Sequence, residues 1–213
     1  MATELPELLL PDVGAWRAWL AEHHEGSPGV RLVLAKKGTT EPTSLSYEQA
    51  LQEALCYGWI DGQVNRRDDA TMHQRFTPRR SRSMWSKNNV ERVARLVEEG
   101  RMQPPGQAAV DAAKADGRWD AAYAGPATIT VPEDVAAALR LEPAAAQTFE
   151  QLTSQNRYAI LLRVGQAKRA ETRARRIEQF VAMLARGEAI YPQKGLRQKG
   201  SGGGSVESDE ATP

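Results

Sequence analysis

Apolar positions along the chain switch between helical and strand-like spacing, and each switch marks an element. Behind Asp12, a good N-cap, Trp16, Trp19 and Leu20 recur at i, i+3 and i+4. This predicts a short helix with one buried face, running to about His24 and stopped by Gly26 and Pro28. Val30 to Ala35 is branched and apolar and predicts a strand. Ser46 stands three residues before Gln49, a capping-box pattern, and Ala50, Leu51, Ala54 and Leu55 then trace a helical stripe as far as Gly58. Trp59 to Val64 and Thr71 to Phe76 predict two strands joined by the charged turn Arg66-Arg67-Asp68-Asp69. Residues 1–86 thus read as a helix-strand-helix-hairpin unit.

From Lys87 the spacing is helical almost throughout. Asn88 or Asn89 is expected to cap a helix carrying Val90, Val93, Leu96 and Val97, and a second helix is expected from Gly106 to Asp116. Gly117 to Thr130 reads as irregular. Pro132 and Pro143 each open a helix, and Ser154 to Leu184 reads as a long helical region broken near Lys168 to Glu171. The fold class is therefore α+β, a small mixed unit followed by a mostly α-helical C-terminal half over residues 87–194. Gly187 is expected to end the packed structure, with the Gly-, Ser- and acid-rich residues 195–213 a disordered tail.

Composition narrows the class. The chain has 213 residues, 41% of them hydrophobic, enough for one ample core or two small ones. A formal net charge of +1 argues against a surface built throughout for polyanions, so nucleic acid is not the expected partner and any anion binding must come from local asymmetry. One cysteine, Cys56, allows no internal disulfide and fits a reducing compartment. The acidic N-terminus lacks a basic segment followed by an apolar run, and no stretch approaches the roughly 20 apolar residues of a membrane span. The expected location is the cytoplasm.

The local asymmetry lies between Arg66 and Arg101, where ten basic residues face five acids. Arg75, Arg79 and Arg80 lie among Trp59, Phe76 and Trp85, and planar guanidinium forks beside aromatic faces suit a phosphate or carboxylate, with or without a ring. Two readings stand side by side: an anion site, or arginines paired with neighbouring acids to hold the hairpin to the helical half. Asp61, where the strand opens into a Gly62 turn, is the carboxylate to watch for proton transfer, and His73 is the second candidate base. Cys56, on an apolar helix face, reads as core rather than nucleophile. Lys168, Arg173 and Arg176 form a further basic ridge, read either as a solvated face or as a second wall of the anion site. Three scattered histidines give no metal motif. The sequence has no GxGxxG, P-loop or nucleophile elbow, and no cofactor is expected.

Gly58-Trp59-Ile60-Asp61-Gly62, Arg75-Phe76-Thr77-Pro78-Arg79-Arg80, Ser83-Met84-Trp85-Ser86-Lys87-Asn88-Asn89 and Gly100-Arg101-Met102 resemble the YdeI/OmpD-associated proteins. The run Ala167 to Ile177 is similar to their defining domain, and the resemblance extends over about residues 5–194. It implies a bacterial protein of stress tolerance, protection against bacteriocins or cationic antimicrobial peptides, and association with an outer-membrane porin. It carries no catalytic residues with it. The sequence thus leaves three functions open: a stress-related protein binding an anionic small molecule or acidic partner; an enzyme using Asp61 or His73 on a phosphate- or carboxylate-bearing substrate; and nucleic-acid binding.

Overall fold

The computed structural model describes residues 5–126 and 128–198. Contacts divide the chain at Tyr123/Ala124 into two compact units.

The first unit carries a four-stranded sheet in the order β1-β2-β4-β3. Its strands are β1 (Glu7–Leu8), β2 (Val30–Ala35), β3 (Trp59–Arg66) and β4 (Thr71–Pro78). The hairpin β3/β4 and the pair β2/β4 are antiparallel, while β1 runs parallel to β2. Both hairpin strands extend two residues beyond their expected ends, because pairing continues there, Arg66 opposite Met72 and Thr77 and Pro78 opposite Ile60 and Trp59. Val30 faces Phe76 and Leu32 faces Gln74 across β2/β4; Asp61 faces Phe76 across β3/β4, before an irregularity between Asp61 and Val64. Since side chains alternate along a strand, Asp61 shares the Phe76 face while His73 and Arg75 project from the other.

Two capped helices frame this sheet. Asp12 accepts a hydrogen bond from the Ala15 N–H at 2.9 Å to open α1 (Val13–His23), and Ser46 and Gln49 complete a capping box that opens α2 (Tyr47–Cys56). Gly58, at φ 72, turns the chain from α2 into β3. Next come α3 (Lys87–Glu98) and α4 (Pro104–Ala115). The cap of α3 is Ser86, not Asn88 or Asn89; its side chain accepts from the Asn89 N–H, and Asn89 is buried within the first turn. Gly106 lets α4 close on the end of α2, because a Cβ there would stand 2.0 Å from the Cys56 carbonyl oxygen.

One core cluster joins Trp16, Leu20, Leu32, Trp59, Phe76 and Trp85 with Val93, Leu96, Val110 and Ala113 of α3 and α4. The expected boundary at residues 86 and 87 is thus displaced to 123 and 124: the apolar faces of α3 and α4 complete the core of the mixed unit. Trp16 is fully buried and donates its indole N–H to Ala50 O at 3.0 Å, so truncating it to alanine should cost about 3–5 kcal/mol.

The second unit contains α5 (Glu133–Leu141), α6 (Pro143–Gln151), α7 (Ser154–Gly165) and α8 (Ala170–Ala185), then the parallel pair β5 (Glu188–Ala189) and β6 (Arg197–Gln198). Val135, Phe149, Ile160, Val164, Phe180 and Met183 form its core. Packing does not stop at Gly187, because Ala189 is fully buried and Ile190 and Leu196 lie against this core. The buried Asn156 side chain fastens the segment: its Oδ1 accepts from the Tyr191 N–H at 2.8 Å and its Nδ2 donates to Tyr191 O at 3.2 Å. Of the expected tail, residues 195–198 are therefore structured and residues 199–213 lie outside the described residues. Among the described residues no helix is long and apolar enough to cross a membrane.

Candidate functional site

The ends of β3 and β4, the turn after them and the start of α3 bring one cluster together. Pro78 ends β4, and the Arg79 N–H donates to Gly58 O at 2.9 Å, which ties the turn to the hinge between α2 and β3. The turn closes on itself, with Ser83 N–H donating to Arg80 O and Arg80 N–H to Ser83 Oγ, both at 2.9 Å. Arg118 holds it from the side by donating to Ser83 O at 2.9 Å. Trp85 then enters the core, and Tyr123 pairs its main chain with Trp85 O and Lys87 N at 3.0 and 2.9 Å.

The Arg79 guanidinium lies over the face of Trp85, its Cζ 3.5 Å from the ring centroid. Nη1 donates to Met84 O at 3.2 Å, but Nε and Nη2 are closed to solvent and have no acceptor among the described residues. The Trp85 indole N–H is in the same condition. Buried donors without acceptors cost about 1–3 kcal/mol each, more when charged, so this is a costly arrangement. Burial pulls the Arg79 pKa down to about 10; Asp61 and Tyr123 push it up and Arg118 pulls it further down. The guanidinium stays charged at neutral pH.

Asp61 sits nearby on the core face of β3 and accepts the Tyr47 hydroxyl through Oδ2 at 2.9 Å. Burial, and then the Asp61 charge, push the Tyr47 pKa up, so the phenol stays protonated and donating. Tyr123 is raised by burial and by Asp61, against the pull of Arg79 and a hydrogen bond with Ser86. The cluster therefore offers a charged planar fork, an indole N–H, neutral phenols and one carboxylate. It can grip an oxyanion and hold a proton donor or acceptor beside it.

The structure brings Asp61, Arg79 and Trp85 together and leaves the other expected residues elsewhere. Trp59 is core, stacked edge-on to Trp16 and Trp19 at 6.3 and 5.8 Å with its indole N–H on His24 O at 3.3 Å. Arg75 projects from the opposite face of the sheet, its stem over Gly62, and Arg80 is exposed. His73 is on that far face too, with Nε2 2.6 Å from Glu7 Oε2; the His73 hydrogen bond, followed by the Arg67 and His73 charges, outweighs desolvation and lowers the Glu7 pKa. Cys56 is buried, and burial raises its thiol to about 11, which removes it as a nucleophile.

In the second unit Arg173 and Arg176 are spent on structure. Arg173 forks onto Asp134 at 2.6 and 2.9 Å and donates to Val164 O; Arg176 donates to Arg163 O. Both satisfy carbonyls at the end of α7, which the ridge reading overlooked. Lys168 is exposed.

Sequence reasoning missed Tyr47 and Tyr123, which no short-range pattern connects to Asp61 or Arg79. It also missed Glu53, although an acid inside the apolar stripe of α2 was a visible signal. Glu53 is 2% exposed and receives Arg17 at 2.9 and 2.6 Å and Arg101 at 2.6 Å. Burial pushes its carboxyl up, but the hydrogen bonds from Arg17 and Arg101 win and hold it below its ordinary value. A cleft of about 310 Å³ opens beside this clamp, lined by Tyr57, Gly100 and Gln103 as well. The second unit has a groove of about 400 Å³ between Tyr158, Leu162, Arg163 and Tyr191. Among the described residues no cluster of three or more His, Cys, Asp or Glu could hold a metal ion.

An α+β unit holding an arginine whose Nε and Nη2 are closed to solvent without an acceptor among the described residues, joined in sequence to a helical unit, is the class that fold and site define. Residues 128–187 of the second unit match the family model described as "Bacteriocin-protection, YdeI or OmpD-Associated", so the resemblance read from the sequence is shown for that part of the chain. Residues 8–109, which hold the hairpin and arginine motifs, match a different one, "Domain of unknown function (DUF8412)". No curated protein and no solved structure matches the chain.

Proposed function

We propose that this is a stress-related cytoplasmic protein that binds an anionic small molecule at Arg79, with Trp85, Asp61, Tyr47 and Tyr123 around it. One observation carries the reading: the Nε and Nη2 edge of Arg79, held over Trp85, is closed to solvent without an acceptor among the described residues. Strain of this kind, kept in a well-packed unit, is a mark of function. The family description supports the stress-related part, and a lone buried thiol suits a reducing compartment. Because the two nitrogens are closed to solvent, a ligand enters by displacing the solvent-facing Arg80 to Met84 turn. An enzymatic reading rests on Asp61 alone, since His73 lies on the far face of the sheet.

Thermal unfolding in the presence of small carboxylates and phosphates tests the proposal. Wild type should gain about 2–3 kcal/mol at a ligand concentration a hundredfold above its Kd, and Arg79→Lys, which keeps charge but loses the fork, should lose most of that gain. If no member of such a panel stabilises the wild type, the site is structural.

A further inference from the structure

The arginines of this protein show what the Arg79 fork is shaped to hold. Arg17 grips Glu53, Arg92 grips Glu48, Arg173 grips Asp134 and Arg186 grips Glu188, each through Nε and Nη2 to the two oxygens of one carboxylate. The N···O distances across these four forks lie between 2.6 and 3.0 Å. Arg79 presents the same edge, with Nη1 already engaged by Met84 O, so one planar bidentate anion completes it.

Asp61 supplies the complementary half. Its Oδ2 accepts from Tyr47, and among the described residues no cation stands within ion-pair distance of it, although its charge is felt by Arg79, Tyr123 and Tyr47. The other positive charges felt at this pair are already matched: Arg92, which feels Asp61, by Glu48, and Arg118, which is felt by Arg79, by Asp116. A fixed carboxylate on the face of the hairpin that carries Trp59 and Phe76, its charge felt at the fork, penalises a dianion such as phosphate and rewards a ligand that brings its own positive charge.

Resting on the anion-binding reading of Arg79, we infer that the ligand is a zwitterion of the amino-acid type, its carboxylate on the Arg79 fork and its ammonium on Asp61. Tyr47, held by Asp61, and the Trp85 indole N–H then fix the orientation of the head group and leave the side chain of the ligand directed toward the displaced turn.

Calorimetric titration of the full chain with matched sets separates this inference from the broader reading. Alanine, propanoate and ethylamine form one set; phenylalanine, 3-phenylpropanoate and 2-phenylethylamine form the other. The amino acid of a set should bind at least about tenfold more tightly than its carboxylate, the worth of one hydrogen-bonded charge contact, and the amine should not bind. Asp61→Asn, which keeps an acceptor for Tyr47, should bring the amino acid down to the affinity of the carboxylate. A carboxylate that equals its amino acid in the wild type overturns the zwitterion and leaves an anion site; this comparison needs no variant. An unchanged preference in Asp61→Asn overturns the role given to Asp61. Heat from none of the six compounds, nor from phosphate, overturns both readings together.

Discussion

Glu53, which is buried, and Arg79, which is half-buried with Nε and Nη2 closed to solvent, are two charges of the same unit treated in opposite ways. Glu53 is given two arginines from α1 and from the α3 to α4 connection, and every oxygen it presents is met. Arg79 is given a tryptophan face and a single carbonyl and, among the described residues, no carboxylate within ion-pair distance. A charge that is matched inside a protein ties its neighbours together, whereas one left unmatched weakens the fold unless something from outside completes it. The first is how a fold fastens elements far apart in sequence. The second, on the function proposed above, is a place reserved for a ligand.

The contrast can be broken most forcefully at Glu53. Glu53→Gln leaves two cations facing each other across a neutral amide and should cost about 3 kcal/mol, read as a fall in the urea midpoint with an unchanged slope. The pH dependence carries a definite sign. Because the folded carboxyl lies below its ordinary value of 4.5, its contribution is complete above that value and is lost as the pH falls through the lower folded value. Wild type and Glu53→Gln should therefore converge in stability on acidification below pH 4.5. A variant as stable as wild type at pH 7 would show that Arg17 and Arg101 do not depend on Glu53.

The helical unit provides an intermediate case. Arg173 is matched by Asp134, but the pair is partly open to water, with side-chain exposures of 27% and 46%. Arg173→Ala should cost about 1 kcal/mol, part from the pair and part from the bond to Val164 O, and the loss should shrink in high salt. A loss as large as that of Glu53→Gln would mean that burial does not set the scale, and the comparison would fail.

These differences were unevenly legible in the sequence. The starts of α1 and α2 could be read because their caps lie within three residues of the groups they satisfy, as Asp12 does for Ala15 and Ser46 for Gln49. The strands could be read from branched and alternating side chains. The two-residue β1 could not, because only its partner β2 defines it. Nor could the membership of α3 and α4: Val93 and Leu96 announce an apolar face but not what it packs against. At the site, Asp61, Arg79 and Trp85 stood out by residue type, while Arg75 and His73 looked equivalent until the register set them on the other face. Tyr47 meets Asp61 across 14 positions of sequence, a contact that only the packing of α2 on β3 creates.

The smallest expected effect is the most telling. Arg79→Met removes a half-buried cation, keeps a long apolar stem on the Trp85 ring and gives up one charge-assisted hydrogen bond to Met84 O. Relief from burying the unmatched guanidinium offsets that loss, so stability should stay within about 1 kcal/mol of wild type and can rise above it. A structural tie would behave as Glu53 does, with a loss of about 3 kcal/mol or more. Chemical denaturation of Arg79→Met without ligand separates the two, and the same protein titrated with carboxylates should bind none. Stability retained and binding lost is the signature of a residue kept for a partner outside the fold, since a residue that holds the fold together cannot lose one without the other.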